Sequence, residues 1–241
     1  MTGHLGDPPA EAGTRERRHQ VLPVFGKHPS AVLLGAQLLA VLIYPFLRDS
    51  TPGRALLGVV HLGIVLTALW AVRRSPALLW VAICLGGPGM VFTVLEAFSP
   101  DTGWIVLVSA LLHAPFYFYV SYGMVRYLFH DDRVTRDELF ATGAAFTVVA
   151  WGFAYVFVAV QVIWPGSFIG AEGGTERDWF ELLYLSFSTL TSVGLSDVVP
   201  VLDHARSLVM IEMVVGVLYV ALVVARLVGL TVSRSVHGPT R

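Results

Sequence analysis

Long apolar runs constrain this chain more than any other feature. A helix that crosses a bilayer needs about 20 mostly apolar residues. The sequence supplies six such stretches, at about 31–47, 55–72, 77–98, 104–129, 139–164 and 207–230. The first ends near Pro45, and the third contains Gly86-Gly87-Pro88-Gly89, where a kink is expected. Only 14% of residues are charged against 55% hydrophobic, and mean hydropathy is +0.69. Soluble domains carry about 25% charged residues, so this composition describes an all-α membrane protein. The net charge of −1 leaves no basic face for nucleic acid. One cysteine, Cys84, excludes a disulfide within the chain and a Cys-based metal site. His61, His113, His130 and His204 have no metal-ligand spacing, and no nucleophile is evidently paired with a base, so an enzyme is not expected and no cofactor is implied.

Charge placement orients the spans. Residues 1–30 are polar, carry Arg15, Arg17 and Arg18, and lack an apolar core of signal-peptide type. They read as a cytoplasmic tail. With the N-terminus inside, twelve of the 16 basic residues fall on the cytoplasmic side, and only Arg48, Arg54, Arg177 and Arg206 fall outside. The positive-inside rule then gives six spans with both termini in the cytoplasm, in a plasma (inner) membrane. Arginine dominates the basic set, with Lys27 the only lysine, which hints at a GC-rich bacterial genome.

Between the fifth and sixth spans lie about 40 residues that form neither a plain loop nor another span. Ser167–Arg177 is rich in Gly and Glu and reads as an exposed turret. Asp178 and Glu181 then have capping-box spacing. The run 178–191 suits a short amphipathic helix carrying Ser186, Ser188 and Thr189 among aromatics, too short to cross the bilayer. The chain must dip in and return.

From Ser188 to Pro200 the sequence reads Ser-Thr-Leu-Thr-Ser-Val-Gly-Leu-Ser-Asp-Val-Val-Pro. This resembles the pore loop of the potassium channel superfamily, Thr-x-Thr-Thr-Val-Gly-Tyr-Gly-Asp followed shortly by Pro, in a six-span layout like that of bacterial voltage-gated-like channels. The resemblance covers about 139–230. It implies a four-helix N-terminal transmembrane domain (31–130), a cytoplasmic linker (131–138) and a pore domain (139–230). The pore domain divides into an outer helix (139–164), turret (165–177), pore helix (178–191), filter (192–197) and inner helix (207–230), with a short cytoplasmic tail at 231–241. A filter replaces the ion's water shell with rings of carbonyl oxygens, so several copies must surround an axis. A homotetramer follows from that geometry together with the resemblance: each chain has three identical partners and membrane lipid around it.

By the same resemblance Ser192, Val193, Gly194, Leu195 and Ser196 coordinate K⁺, the permeant ion, with Na⁺ as an alternative. Ser192 would contribute a hydroxyl ring at the inner mouth, and the pore helix would aim its partial negative charge at the cavity from near Thr191. Tyr184 and Asp197 would brace the filter from behind, with Ser188 as a third member. Gly216 falls on the gating hinge, and Val217, Val220, Val224 and Val228 on the cavity lining. Two departures imply a less selective filter. Leu195 stands where the family has Tyr, with Leu185 at the position that would receive its hydroxyl. Ser196 stands where the family has a second Gly in left-handed backbone, a conformation costing other residues about 1–2 kcal/mol.

Other features weigh against specific roles. Span four has no charged residue between Asp101 and Arg126, so it lacks the gating charges of a voltage sensor. Glu212, one turn before Gly216, is expected to pack against the back of the pore helix, near the Thr191 or Ser188 hydroxyl; the alternative is a cavity-lining carboxylate. Arg226 and Arg234 read as interfacial anchors and His204 as a surface histidine. Acids on the outside outnumber bases eight to four, which would concentrate cations there. The competing classes are a non-selective monovalent cation channel, a secondary transporter, for which no repeated halves are visible, and a non-conducting membrane scaffold.

Overall fold

A computed structural model describes residues 29–53, 56–58, 60, 63–64, 76–99, 102–128, 136–171, 173–174 and 176–236. The apolar runs become helices: α1 (Pro29–Leu47), α2 (Pro76–Phe98), α3 (Gly103–Leu128), α4 (Arg136–Ile163), the short α5 (Trp179–Leu190) and α6 (Asp203–Val236). Two-residue strands β1 (Phe168–Ile169) and β2 (Val199–Pro200) flank α5. Four of the helices, over Pro29–Leu47, Gly103–Arg126, Asp137–Ile163 and Asp203–Arg226, are long and apolar enough to span a bilayer. The expected second span, 55–72, lies largely outside the described residues. So do most of the N-terminal tail, the linker at 131–135 and the last five residues.

The helix α4 is the hub. It packs against α1, α3, α5 and α6, and 72% of its apolar window is buried, against 17% for α6. Small residues make this possible: Ala141, Ala144, Ala145, Ala150 and Ala154 are buried and let neighbouring backbones approach. Larger side chains fill what remains, with Trp151 and Phe157 of α4 buried beside Phe116 and Tyr117 of α3. Polar pins fix α1. Ser30 donates from its amide (3.0 Å) and hydroxyl (2.8 Å) to Asp137, and buried Gln37 donates to the Ala144 carbonyl at 3.4 Å.

The helix α2 continues through Gly86-Gly87-Pro88-Gly89. Two of these glycines admit α3 side chains: a Cβ on Gly86 would lie 3.1 Å from the Phe116 ring, and one on Gly89 would lie 3.3 Å from the His113 ring. That close approach, more than flexibility, accounts for the glycines. His113 stacks on Tyr155 at 4.6 Å and bonds Thr93 and the Ser109 carbonyl, so it is a packed core histidine.

Candidate functional site

The chain turns back at both ends of α5 for identifiable reasons. At the start, both halves of the capping box form: the Glu181 amide donates to Asp178 Oδ1 at 2.8 Å, and the Asp178 amide donates to Glu181 Oε2 at 2.7 Å. Arg48, at the end of α1, adds an ion pair to Asp178 Oδ2 at 2.8 Å. The preceding segment folds around Arg177. The Gln161 side chain accepts from the Arg177 amide (2.7 Å) and donates to its carbonyl (2.9 Å), while the guanidinium reaches Glu181 and the Gly173 carbonyl. With 12 residues, α5 is about 18 Å long, well short of a hydrocarbon core of about 30 Å.

At the other end, α5 stops at Thr191, whose hydroxyl bonds the Phe187 carbonyl at 2.6 Å. Residues 192–196 then run without helix or strand. Ser192 has φ 58° and Gly194 φ 71°. The Val193 and Gly194 amides both donate to the Ser188 carbonyl at 3.1 Å. Ser188 thus holds the segment through its backbone, and its buried hydroxyl has no partner among the described residues. The carbonyls of Ser192, Val193, Gly194 and Ser196 accept no hydrogen bond among the described residues. Beyond them β2 returns to pair antiparallel with β1, which follows α4, through Phe168–Pro200 and Ile169–Val199.

Several residues expected to act together stand elsewhere. Tyr184 donates its hydroxyl to the Leu195 carbonyl at 2.9 Å and not to Asp197. Asp197 is exposed at the corner of a bend that the Val198 amide closes on Ser196 Oγ at 3.1 Å, so within one chain the expected brace is absent. Ser196 does not take a left-handed backbone; the positive φ falls on Ser192 instead, so the expected strain at Ser196 is not present. Leu195 is 72% exposed while Leu185 is buried, so little within the chain packs on Leu195.

Glu212 is fully buried. It meets α5 at Ser186, not at Thr191 or Ser188: its Oε1 is hydrogen-bonded to Ser186 Oγ, which also lies 2.8 Å from the Ala150 carbonyl. These three oxygens link α4, α5 and α6. One turn on, a Cβ placed on Gly216 would collide with the Leu190 carbonyl oxygen and lie 2.9 Å from its carbon. Only glycine lets α6 pass the end of α5 this closely.

Residues 143–233 match the family model of an ion channel. Neither the curated proteins nor the solved structures give a match. The matched segment contains most of α4, all of α5, the 192–196 strand and nearly all of α6. With the apolar helices, this ion-channel match indicates a multi-pass membrane protein, and it is consistent with an oligomeric assembly.

Within the channel region, α6 buries one stripe, Ala205, Val209, Glu212 and Gly216, and exposes much of the rest. Val217, Val220, Val224 and Val228 are at least half exposed. Exposed Val214, Leu218 and Leu222 share that property, so the chain alone does not single out the lining stripe. Arg226 lies 3.6 Å from Glu138 at the start of α4, and Tyr219 donates to the Thr142 carbonyl at 2.6 Å; both join the first turns of α4 to α6 at and beyond its midpoint. His204 stacks on Trp164 at 4.2 Å. Sequence reasoning missed Arg48, Gln161 and the role of Ser186. Gln161, a lone amide in an apolar span, was the available signal.

Proposed function

We propose that four copies of this chain assemble around an axis into a cation channel permeated by K⁺, with Ser192–Ser196 as its ion-coordinating strand. The observation that carries this reading is the set of unpaired carbonyls in that segment. Four of its five carbonyls accept no hydrogen bond among the described residues, and Val193 is 59% exposed. Irregular backbone at membrane depth is tolerated only where it lines water or is buried in protein. One strand offers one oxygen per level, so rings of carbonyls require further copies. The uncovered face of α6 supplies apolar surface for those copies and for Val217, Val220, Val224 and Val228 along the conduction path. Six spans with both ends in the cytoplasm of an inner membrane complete the proposal.

The first four spans act in this reading as a scaffold without a voltage sensor. A non-selective monovalent cation channel is a second reading, favoured by a specific observation. Tyr184 occupies the Leu195 carbonyl, which removes one oxygen from the axis and leaves fewer rings to discriminate K⁺ from Na⁺. Electron microscopy of the purified particle tests the assembly: four-fold symmetry with residues 192–196 around the axis is expected. Two-fold symmetry, or strands far apart, would overturn the reading.

A further inference from the structure

One cavity away from the 192–196 segment joins aromatic rings to a carboxylate. It has a volume of about 160 Å³ and lies among α1, α2, α4, the first residue of α5, and Leu57 and Gly58. Tyr44, Trp151, Tyr155 and Trp179 line it together with Glu96. The rings form one group around Trp179, with centroid separations of 5.5 Å to Tyr44, 5.7 Å to Tyr155 and 6.5 Å to Trp151. Among the described residues, nearby cationic side chains are engaged elsewhere: Arg48 pairs with Asp178 and Asp49, and Arg177 with Glu181. No ion pair to Glu96 forms among the described residues.

Aromatic faces attract cations, most strongly when the cation is desolvated. A half-buried carboxylate beside ring faces is stabilised by a cation in contact with it. Thr93, Glu96 and the two phenols bring oxygens to the lining, but four of its eleven residues present aromatic rings, which favour a weakly hydrated cation over one that must exchange its water shell for oxygen ligands. A methylated ammonium is large, apolar at its surface and weakly hydrated. Size agrees: a cavity of about 150 Å³ holds benzene, whereas sites for drug-sized ligands run from about 300 Å³. The cavity therefore fits a single trimethyl- or tetramethylammonium group.

We propose that this cavity binds a methylated ammonium group, held between the rings of Tyr44, Tyr155, Trp151 and Trp179 with Glu96 as its counter-charge. The group comes from a small solute cation or from the choline headgroup of a lipid. In the orientation proposed above, the cavity opens in the outer half of the membrane. Its occupant would touch Trp179, the residue after the capped and ion-paired Asp178, so binding would bear directly on the start of α5.

Binding tests the proposal without any reliance on conduction. The purified full chain in phosphatidylglycerol nanodiscs is titrated with choline and with 3,3-dimethylbutan-1-ol, its neutral isostere, by tryptophan fluorescence and calorimetry. Saturable choline binding is expected, weaker by about tenfold or more for the isostere and for Glu96→Gln, as befits the loss of a desolvated cation contact. A choline affinity that falls in phosphatidylcholine nanodiscs identifies the lipid headgroup as occupant; an unchanged affinity identifies a free solute. No saturable binding, equal binding of the isostere by the wild-type chain, or wild-type affinity in Glu96→Gln would each overturn the proposal.

Discussion

Replacing Gly216 with alanine adds one methyl group at the tightest crossing beside the proposed filter. That Cβ would overlap the Leu190 carbonyl oxygen and stand 2.9 Å from the carbonyl carbon and 3.0 Å from Cα. Carbon contacts settle at about 3.5–4.0 Å, and the oxygen contact is tighter still, so α6 and the end of α5 must separate by about 1 Å or more. The obstacle is backbone, which cannot rotate away as a side chain would. Overpacking of this kind costs about 1–3 kcal/mol. The displaced end of α5 leads directly into residues 192–196, so conduction should suffer more than stability. Gly35→Ala is the matched control, because a Cβ there meets nothing within 4 Å. Thermal unfolding in detergent and K⁺ flux into proteoliposomes provide the readouts. Gly216→Ala should lower the melting temperature and reduce flux several-fold, while Gly35→Ala should leave both near wild type. If Gly216→Ala folds and conducts as the wild type does, the close crossing of α6 and α5 is not what Gly216 is for.

Glu212→Gln should keep a hydrogen bond to Ser186 and retain assembly, whereas Glu212→Leu should cost about 1–3 kcal/mol by stranding buried polar groups; chemical unfolding of the two variants checks this. Asp178→Ala removes both the helix cap and the Arg48 pair and should cost about 1 kcal/mol. A wild-type melting temperature would show that the cap does not hold α5. Open probability should vary shallowly with voltage, since α3 carries no gating charge between Gly103 and Arg126. A slope requiring three or more charges per subunit would contradict that.

The helices and the turn-back were legible because each rests on local signals. Apolar length marks α1, α3, α4 and α6, and Asp178 with Glu181 marks the start of α5 three residues apart. What escaped was set by tertiary approach. The Ser186 partner of Glu212 sits 26 positions away, and nothing in the local sequence separates it from Ser188 on the same helix. The Tyr184 hydroxyl goes to a backbone carbonyl, which every residue offers, whereas the resemblance to the potassium channel superfamily pointed to Asp197. Gly216 stood out through the register of the resemblance, but its close approach to the Leu190 carbonyl is visible only once α5 and α6 are placed. The left-handed backbone at Ser192 follows from the Ser188 carbonyl gathering two amides, a local closure that residue type does not encode.

Single-channel recording of the purified chain in a planar bilayer, with K⁺ on one side and Na⁺ on the other, tests the central claim most directly. Discrete ohmic current steps are expected, with a reversal potential displaced toward K⁺ but short of strict selectivity. No unitary current, or flux that saturates at low ion concentration as a carrier's does, would contradict it.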